Sequence, residues 1–71
     1  MPIPLTSEQI IEDITAKIDA GAYPRGSQLP SYNELAASYG VGFTTIARVM
    51  RTLRARGAVV GVPGRGTFVP E

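Results

Sequence analysis

The feature that most restricts this chain is its punctuation, two helix starts and three helix stops spaced closely along it. Thr6-Ser7-Glu8-Gln9 and Ser31-Tyr32-Asn33-Glu34 both have capping-box spacing. In each, a hydroxyl can accept from the amide three residues on, and the Gln or Glu at that position can reach back. Gly21, Gly40 and Gly57 each follow a stretch of helical periodicity, where a residue in left-handed backbone closes a helix. These marks predict three short helices, over residues 7–20, 31–39 and 43–56.

The apolar spacing gives each helix a buried side. Ile10, Ile11, Ile14 and Ile18 recur at three and four, with Glu12, Asp13, Lys17 and Asp19 on the other side. Such a stripe serves either a core or an amphipathic contact with a partner, and a core within its own domain is the expectation. Leu35, Ala36 and Tyr39 give the buried side of the second helix. The third carries Ile46, Val49, Met50 and Leu53 at i, i+3, i+4 and i+7. At ~100° per residue its opposite face shows Thr44, Ala47, Arg48, Arg51 and Ala55, with Arg54 at one flank and Thr45 and Thr52 at the other.

Beyond Gly57 the period changes. Ala58 to Val62 and Thr67 to Val69 have the β-branched density of strands, and Pro63-Gly64-Arg65-Gly66 between them makes a tight tip. A hairpin is expected over residues 58–69. Ala22 to Ser27 is a turn, Gln28-Leu29 a short strand that joins the hairpin, and residues 1–5 an extended lead-in. The predicted class is mainly α (α+β), one domain over 1–71. Its architecture is a winged helix-turn-helix: three helices with a small antiparallel wing, in the order helix, strand, helix, helix, strand, strand. The second helix of a helix-turn-helix, here residues 43–56, is shaped for the major groove of DNA.

The charge supports that use. Residues 1–40 hold two basic and five acidic side chains, net −3, while residues 41–71 hold five arginines and one glutamate, net +4. Arginine forks onto phosphates and guanine edges, although a row of arginines also suits a merely solvated helix face. Histidine and cysteine are both missing. That removes disulfides, thiolate nucleophiles, imidazole bases and the usual zinc ligands, so no catalytic residue, metal site or cofactor is expected. An enzyme is the least supported class, because the carboxylates fall mostly on an exposed face of the first helix. No window is long and apolar enough for a membrane span and no signal peptide is visible, so the expected location is the cytoplasm.

Several motifs together resemble the N-terminal DNA-binding domain of GntR-family bacterial transcription regulators. They are Leu29-Pro30-Ser31, Glu34-Leu35-Ala36, Tyr39-Gly40-Val41, Thr44-Thr45-Ile46, Arg48, Leu53, Gly57 and Gly64-Arg65-Gly66-Thr67-Phe68-Val69. With the first helix and the turn after it, the resemblance covers about residues 6 to 69. It implies a winged helix that binds operator double-stranded DNA, usually as a homodimer on a palindromic site, as repressors of this kind do. It implies DNA contacts at Ser31, Tyr32 and Asn33, at residues 42–48, and at Gly64, Arg65 and Gly66.

The chain departs from the family pattern at three places. Asn33, Gly42-Phe43 and Ala47 stand where the family often has Arg, Ser-Arg or Thr-Arg, and Arg. The operator of a better-known relative therefore does not transfer. Each missing bidentate arginine–guanine pair removes ~1–3 kcal/mol of discrimination. Phe43 either contacts a thymine methyl group or packs on the second helix. The family also normally carries a C-terminal metabolite-binding domain, and no small-molecule effector site is expected in this chain. It is either an excised domain or a stand-alone regulator. The expected function is sequence-specific DNA binding. Base readout is expected from Phe43, Thr44, Thr45 and Arg48, and phosphate contact from Arg51, Arg54, Arg65 and the Ser31–Tyr32 region. The alternative is a winged helix used as a protein–protein interaction module, which the missing arginines favour.

Overall fold

The computed structural model describes residues 6–71; the extended lead-in expected over residues 1–5 lies outside them. Helix α1 spans Ser7–Asp19, α2 Tyr32–Tyr39 and α3 Phe43–Ala55, followed by strands β1, Val60–Val62, and β2, Gly66–Phe68. Both capping boxes form. Gln9 N–H donates to Thr6 Oγ1 at 3.2 Å and Thr6 N–H to Gln9 Oε1 at 2.9 Å. At α2 the reciprocal pair between Ser31 and Glu34 measures 3.1 Å both ways. Each helix is shorter by one residue than its spacing predicts, since the hydroxyl-bearing Ser31 is the cap of α2, and Ala20 and Arg56 are the C-caps of α1 and α3. Gly21 and Gly40 follow α1 and α2 with φ of 84° and 67°.

The core is built around α3. Ile46, Val49, Met50 and Leu53 are all fully buried, and α1 packs on them with Ile10, Ile11 and Ile14. The shorter α2 closes one side with Leu35 and Ala36. Leu29, Val59 and Val69 complete the cluster from the connecting segments. Ile18 is only partly buried, at the edge of that cluster. The stripe of isoleucines is thus spent inside the fold, which removes the amphipathic-contact reading of α1.

The wing is narrower than expected. β1 and β2 are antiparallel with Val60 opposite Phe68, Gly61 opposite Thr67 and Val62 opposite Gly66. Ala58 and Val59 precede the strand as bends after the turn at Arg56 and Gly57, and Ala58 N–H closes onto Leu53 O at 2.9 Å. The third strand expected at Gln28-Leu29 is reduced to one bridge, Gln28 opposite Phe68. Its backbone is still paired: Leu29 N–H donates to Thr67 O at 2.8 Å and Val69 N–H to Ser27 O at 2.9 Å. Pro30 follows directly and has no N–H to continue the ladder, which explains why the strand stops there.

Asp13 and Lys17 correct one assignment. The helical spacing puts them on the solvent side of α1, yet they form its edge toward α2. Tyr39 O–H donates to Asp13 Oδ2 at 2.6 Å, and Lys17 Nζ lies 3.2 Å from the same oxygen. Lys17 Nζ also sits 3.4 Å from the Tyr39 hydroxyl and 5.3 Å from the centre of its ring. This cluster ties the end of α2 to the middle of α1. Burial, and next the hydrogen bond to Asp13, push the Tyr39 phenol up to about 12. The Tyr39 hydrogen bond in turn lowers Asp13, and Asp13 raises Lys17.

The sign for pH follows from the direction of each shift. Tyr39 titrates higher folded than unfolded, so its contribution is complete below its ordinary value of 10.0 and is lost as pH rises toward about 12. Asp13 titrates lower when folded, so its contribution holds above 3.8 and is lost in acid. Tyr39→Phe is expected to cost about 1 kcal/mol at neutral pH, the net worth of one such hydrogen bond. Urea unfolding should show that loss, together with a shallower fall in stability between pH 10 and 12 than the parent protein shows.

Candidate nucleic-acid interface

Burial of one α3 stripe dictates what the opposite stripe presents. Thr44, Arg48, Arg51 and Ala55 are exposed and, at ~100° per residue, fall within roughly 60° of one another. Thr45 and Ala47 flank this stripe half-buried. Thr52 leaves the surface chemistry, because its hydroxyl donates back to Arg48 O at 3.2 Å. Gly42 caps α3 without a side-chain hydrogen bond.

Phe43 meets both alternatives that its sequence position allows. Its ring packs on Tyr32 at the first turn of α2, centroids 5.6 Å apart and planes tilted by 48°. The same side chain remains 53% exposed. One face of the ring therefore fixes the relation between the starts of α2 and α3, and the rest is open at the outer end of α3. Tyr32 is half-buried, while its neighbours Ser31 and Asn33 are exposed. The Ser31 capping hydrogen bonds draw the Glu34 carboxyl below its ordinary range, the Ser31 backbone N–H being the larger cause.

The wing stands across a cleft from the start of α2. Ser31, Tyr32, Arg54, Gly64, Arg65 and Gly66 all line it. Asn33, Thr44, Thr45, Arg48 and Arg51 lie outside the cleft, so the expected contact residues divide between an α3 face and a wing cleft, with Phe43 and Tyr32 joining them. At the wing tip Arg65 N–H donates to Val62 O at 3.0 Å, closing a turn through Pro63 and Gly64, with Gly64 at φ 75°. Gly66 has φ 119°, and a Cβ there would lie 2.7 Å from Gln28 Nε2.

Two residues that sequence patterns did not single out shape this cleft. Gln28 Nε2 donates to Arg65 O at 2.8 Å across a separation of 37 residues. Gly61 lies beneath Arg54, whose Nη1 is 3.2 Å from where a Cβ would stand. No periodicity signals either contact: the first joins segments 37 residues apart, and the second depends on how the chain turns back between α3 and β1. The described residues contain no cluster of His, Cys, Asp and Glu that could hold a metal ion. No helix among them is long and apolar enough to cross a membrane.

The family model described as "Bacterial regulatory proteins, gntR family" matches residues 6–69. The chain belongs to the gntR family. It is 37% identical over 71 residues to a histidine utilization repressor of Pseudomonas aeruginosa, covering all of this chain and 28% of that protein. The chain thus spans little more than a quarter of that gntR-like relative. A GntR family transcriptional regulator from Listeria monocytogenes superposes with a TM-score of 0.88 at 34% identity, covering 92% of this chain and 57% of the other. The structure of AraR(DBD) in complex with operator ORR3 superposes with a TM-score of 0.84 at 30% identity, over 97% of this chain and 92% of the other. The gntR winged helix explains why three helices and a minimal hairpin suffice here. Regulators rather than enzymes are its relatives.

The Ser31 cap is the part of this interface whose energetics are most accessible. Ser31→Ala is expected to cost about 1 kcal/mol in urea unfolding. Glu34 titrates lower when folded, so its contribution to the cap is present above its ordinary 4.5 and is lost as pH falls below it. Glu34→Ala, which removes the carboxylate held by the Ser31 N–H, should therefore differ from the parent by an amount that shrinks in acid. A Glu34→Ala difference that stays constant from neutral pH into acid would contradict this account.

Proposed function

We propose that this chain is the operator-binding module of a bacterial transcription regulator, with α3 in the major groove and the wing on the adjacent backbone or minor groove. One observation carries the reading: the domain shape matches AraR(DBD), which is seen on operator DNA, along nearly the whole length of both chains. Base readout falls to Phe43, Thr44, Thr45 and Arg48, at the open end and along the outer stripe of α3. Phosphate contact falls to Arg51, Arg54 and Arg65, assisted by Ser31, Tyr32 and Asn33 at the start of α2. Gly64 and Gly66 let the tip backbone approach the duplex. Two copies would bind a palindromic site as a homodimer, within the cytoplasm, and any effector would act outside these residues. Repressors among the relatives favour repression as the outcome.

The test is selection from a random duplex pool across a salt series. An enriched, roughly palindromic motif and a steep dependence of log K on log salt are expected. On the selected duplex, Arg48→Ala should flatten sequence preference, costing ~1–3 kcal/mol against the correct base. Arg65→Ala should weaken all duplexes alike and reduce the salt slope by about one. Arg48→Ala with affinity and preference intact would refute the α3 face. Phe43, Val60 and Val62 are exposed large apolar side chains, which favour a second reading, a docking surface for another protein. That reading predicts no duplex binding at low salt and a protein complex that survives high salt.

A further inference from the structure

Two strands of three residues each make a hairpin that is marginal alone. Its base is held to the body by the Leu29–Thr67 and Ser27–Val69 backbone hydrogen bonds and the Gln28–Phe68 bridge. Its tip is different. Among the described residues, the one hydrogen bond from the body to residues 63–66 comes from the Gln28 side chain, whose Nε2 donates to Arg65 O at 2.8 Å. The Gln28 amide also occupies the space that a side chain at position 66 would take. Gln28 is itself exposed, so this hydrogen bond does not serve the core.

We infer that Gln28 is a positioning residue for the wing, holding the Arg65 backbone so that the arginine side chain is presented to a nucleic-acid phosphate. The inference rests on the DNA-binding reading above and adds to it a residue that makes no DNA contact of its own. The physical logic is preorganisation. A tip that already occupies its bound arrangement loses less freedom on binding, and a tip that samples others binds in proportion to its competent fraction. One exposed hydrogen bond is a modest bias, so the expected effect on affinity is a few-fold.

The test is a double-mutant cycle on a short mixed-sequence duplex at low salt, with the complete chain. Gln28→Met keeps the length of the side chain and removes the donor. It should weaken binding about two- to tenfold in the parent protein and have no further effect in an Arg65→Ala background. It should add fully to Arg48→Ala, which acts from α3. Its thermal unfolding midpoint should match that of the parent, and amide relaxation in the DNA-free chain should show greater motion at Arg65 and Gly66 only. A Gln28→Met effect that adds to Arg65→Ala, or no change in either binding or tip relaxation, would overturn the inference. If the parent chain fails to bind any duplex, the DNA-binding reading fails instead, and the relaxation experiment still decides whether Gln28 holds the tip.

Discussion

Burial of the α3 stripe is the constraint on which the remainder of the molecule depends. Ile46, Val49, Met50 and Leu53 are fully enclosed, and α1 packs against them with its isoleucines. Among the described residues the buried apolar side chains form one cluster, so no second core compensates for a loss at these positions. Truncating one such side chain to alanine commonly costs ~2–5 kcal/mol, a large share of what a small domain has in total. The same packing fixes the rotation of α3 about its axis. With one stripe inside, Thr44, Arg48 and Arg51 have no choice but to face outward.

The two sides of the interface are set by different means. The α3 face is fixed by core packing, through a rigid helix. The wing is fixed by a few backbone hydrogen bonds at its base and one side chain at its tip. Tyr32 and Phe43 sit between these regions, and their ring contact couples the start of α2 to the start of α3. A sequence that lacks arginine at Asn33, Phe43 and Ala47 thus retains the geometry of a groove-reading helix while changing what that helix can read.

What could be read from the sequence is what is local. Capping boxes span three residues, and apolar stripes repeat at three and four, so both are visible without knowing the fold. The turn at Gly40 and the hairpin around Gly64 are equally short-range. Contacts between distant segments were not legible. Tyr39 meets Asp13 across 26 residues and Gln28 meets Arg65 across 37, and neither pairing has a spacing rule. The strand at Gln28-Leu29 shrank for a related reason: pairing depends on how far two remote segments run side by side, and Pro30 limits it here. Glycines were legible as turn residues, but not as space. Nothing in the order of residues says that Gly61 leaves room for Arg54.

The division of charge along the chain becomes a division in space. Exposed Glu8, Glu12 and Asp19 lie on α1, behind the core, while Arg48 and Arg51 lie on the outward stripe of α3. The narrowest dimension of the molecule is 19 Å, against a Debye length of about 8 Å at physiological ionic strength. A polyanion approaching the arginine side is therefore screened from the carboxylates behind it, and the net charge of +1 tells it little. At low ionic strength, where the Debye length grows to about 30 Å, the two faces act together as an electric dipole that turns in the field before the chain is drawn in. Raising the ionic strength should slow that alignment before it loosens contacts already formed.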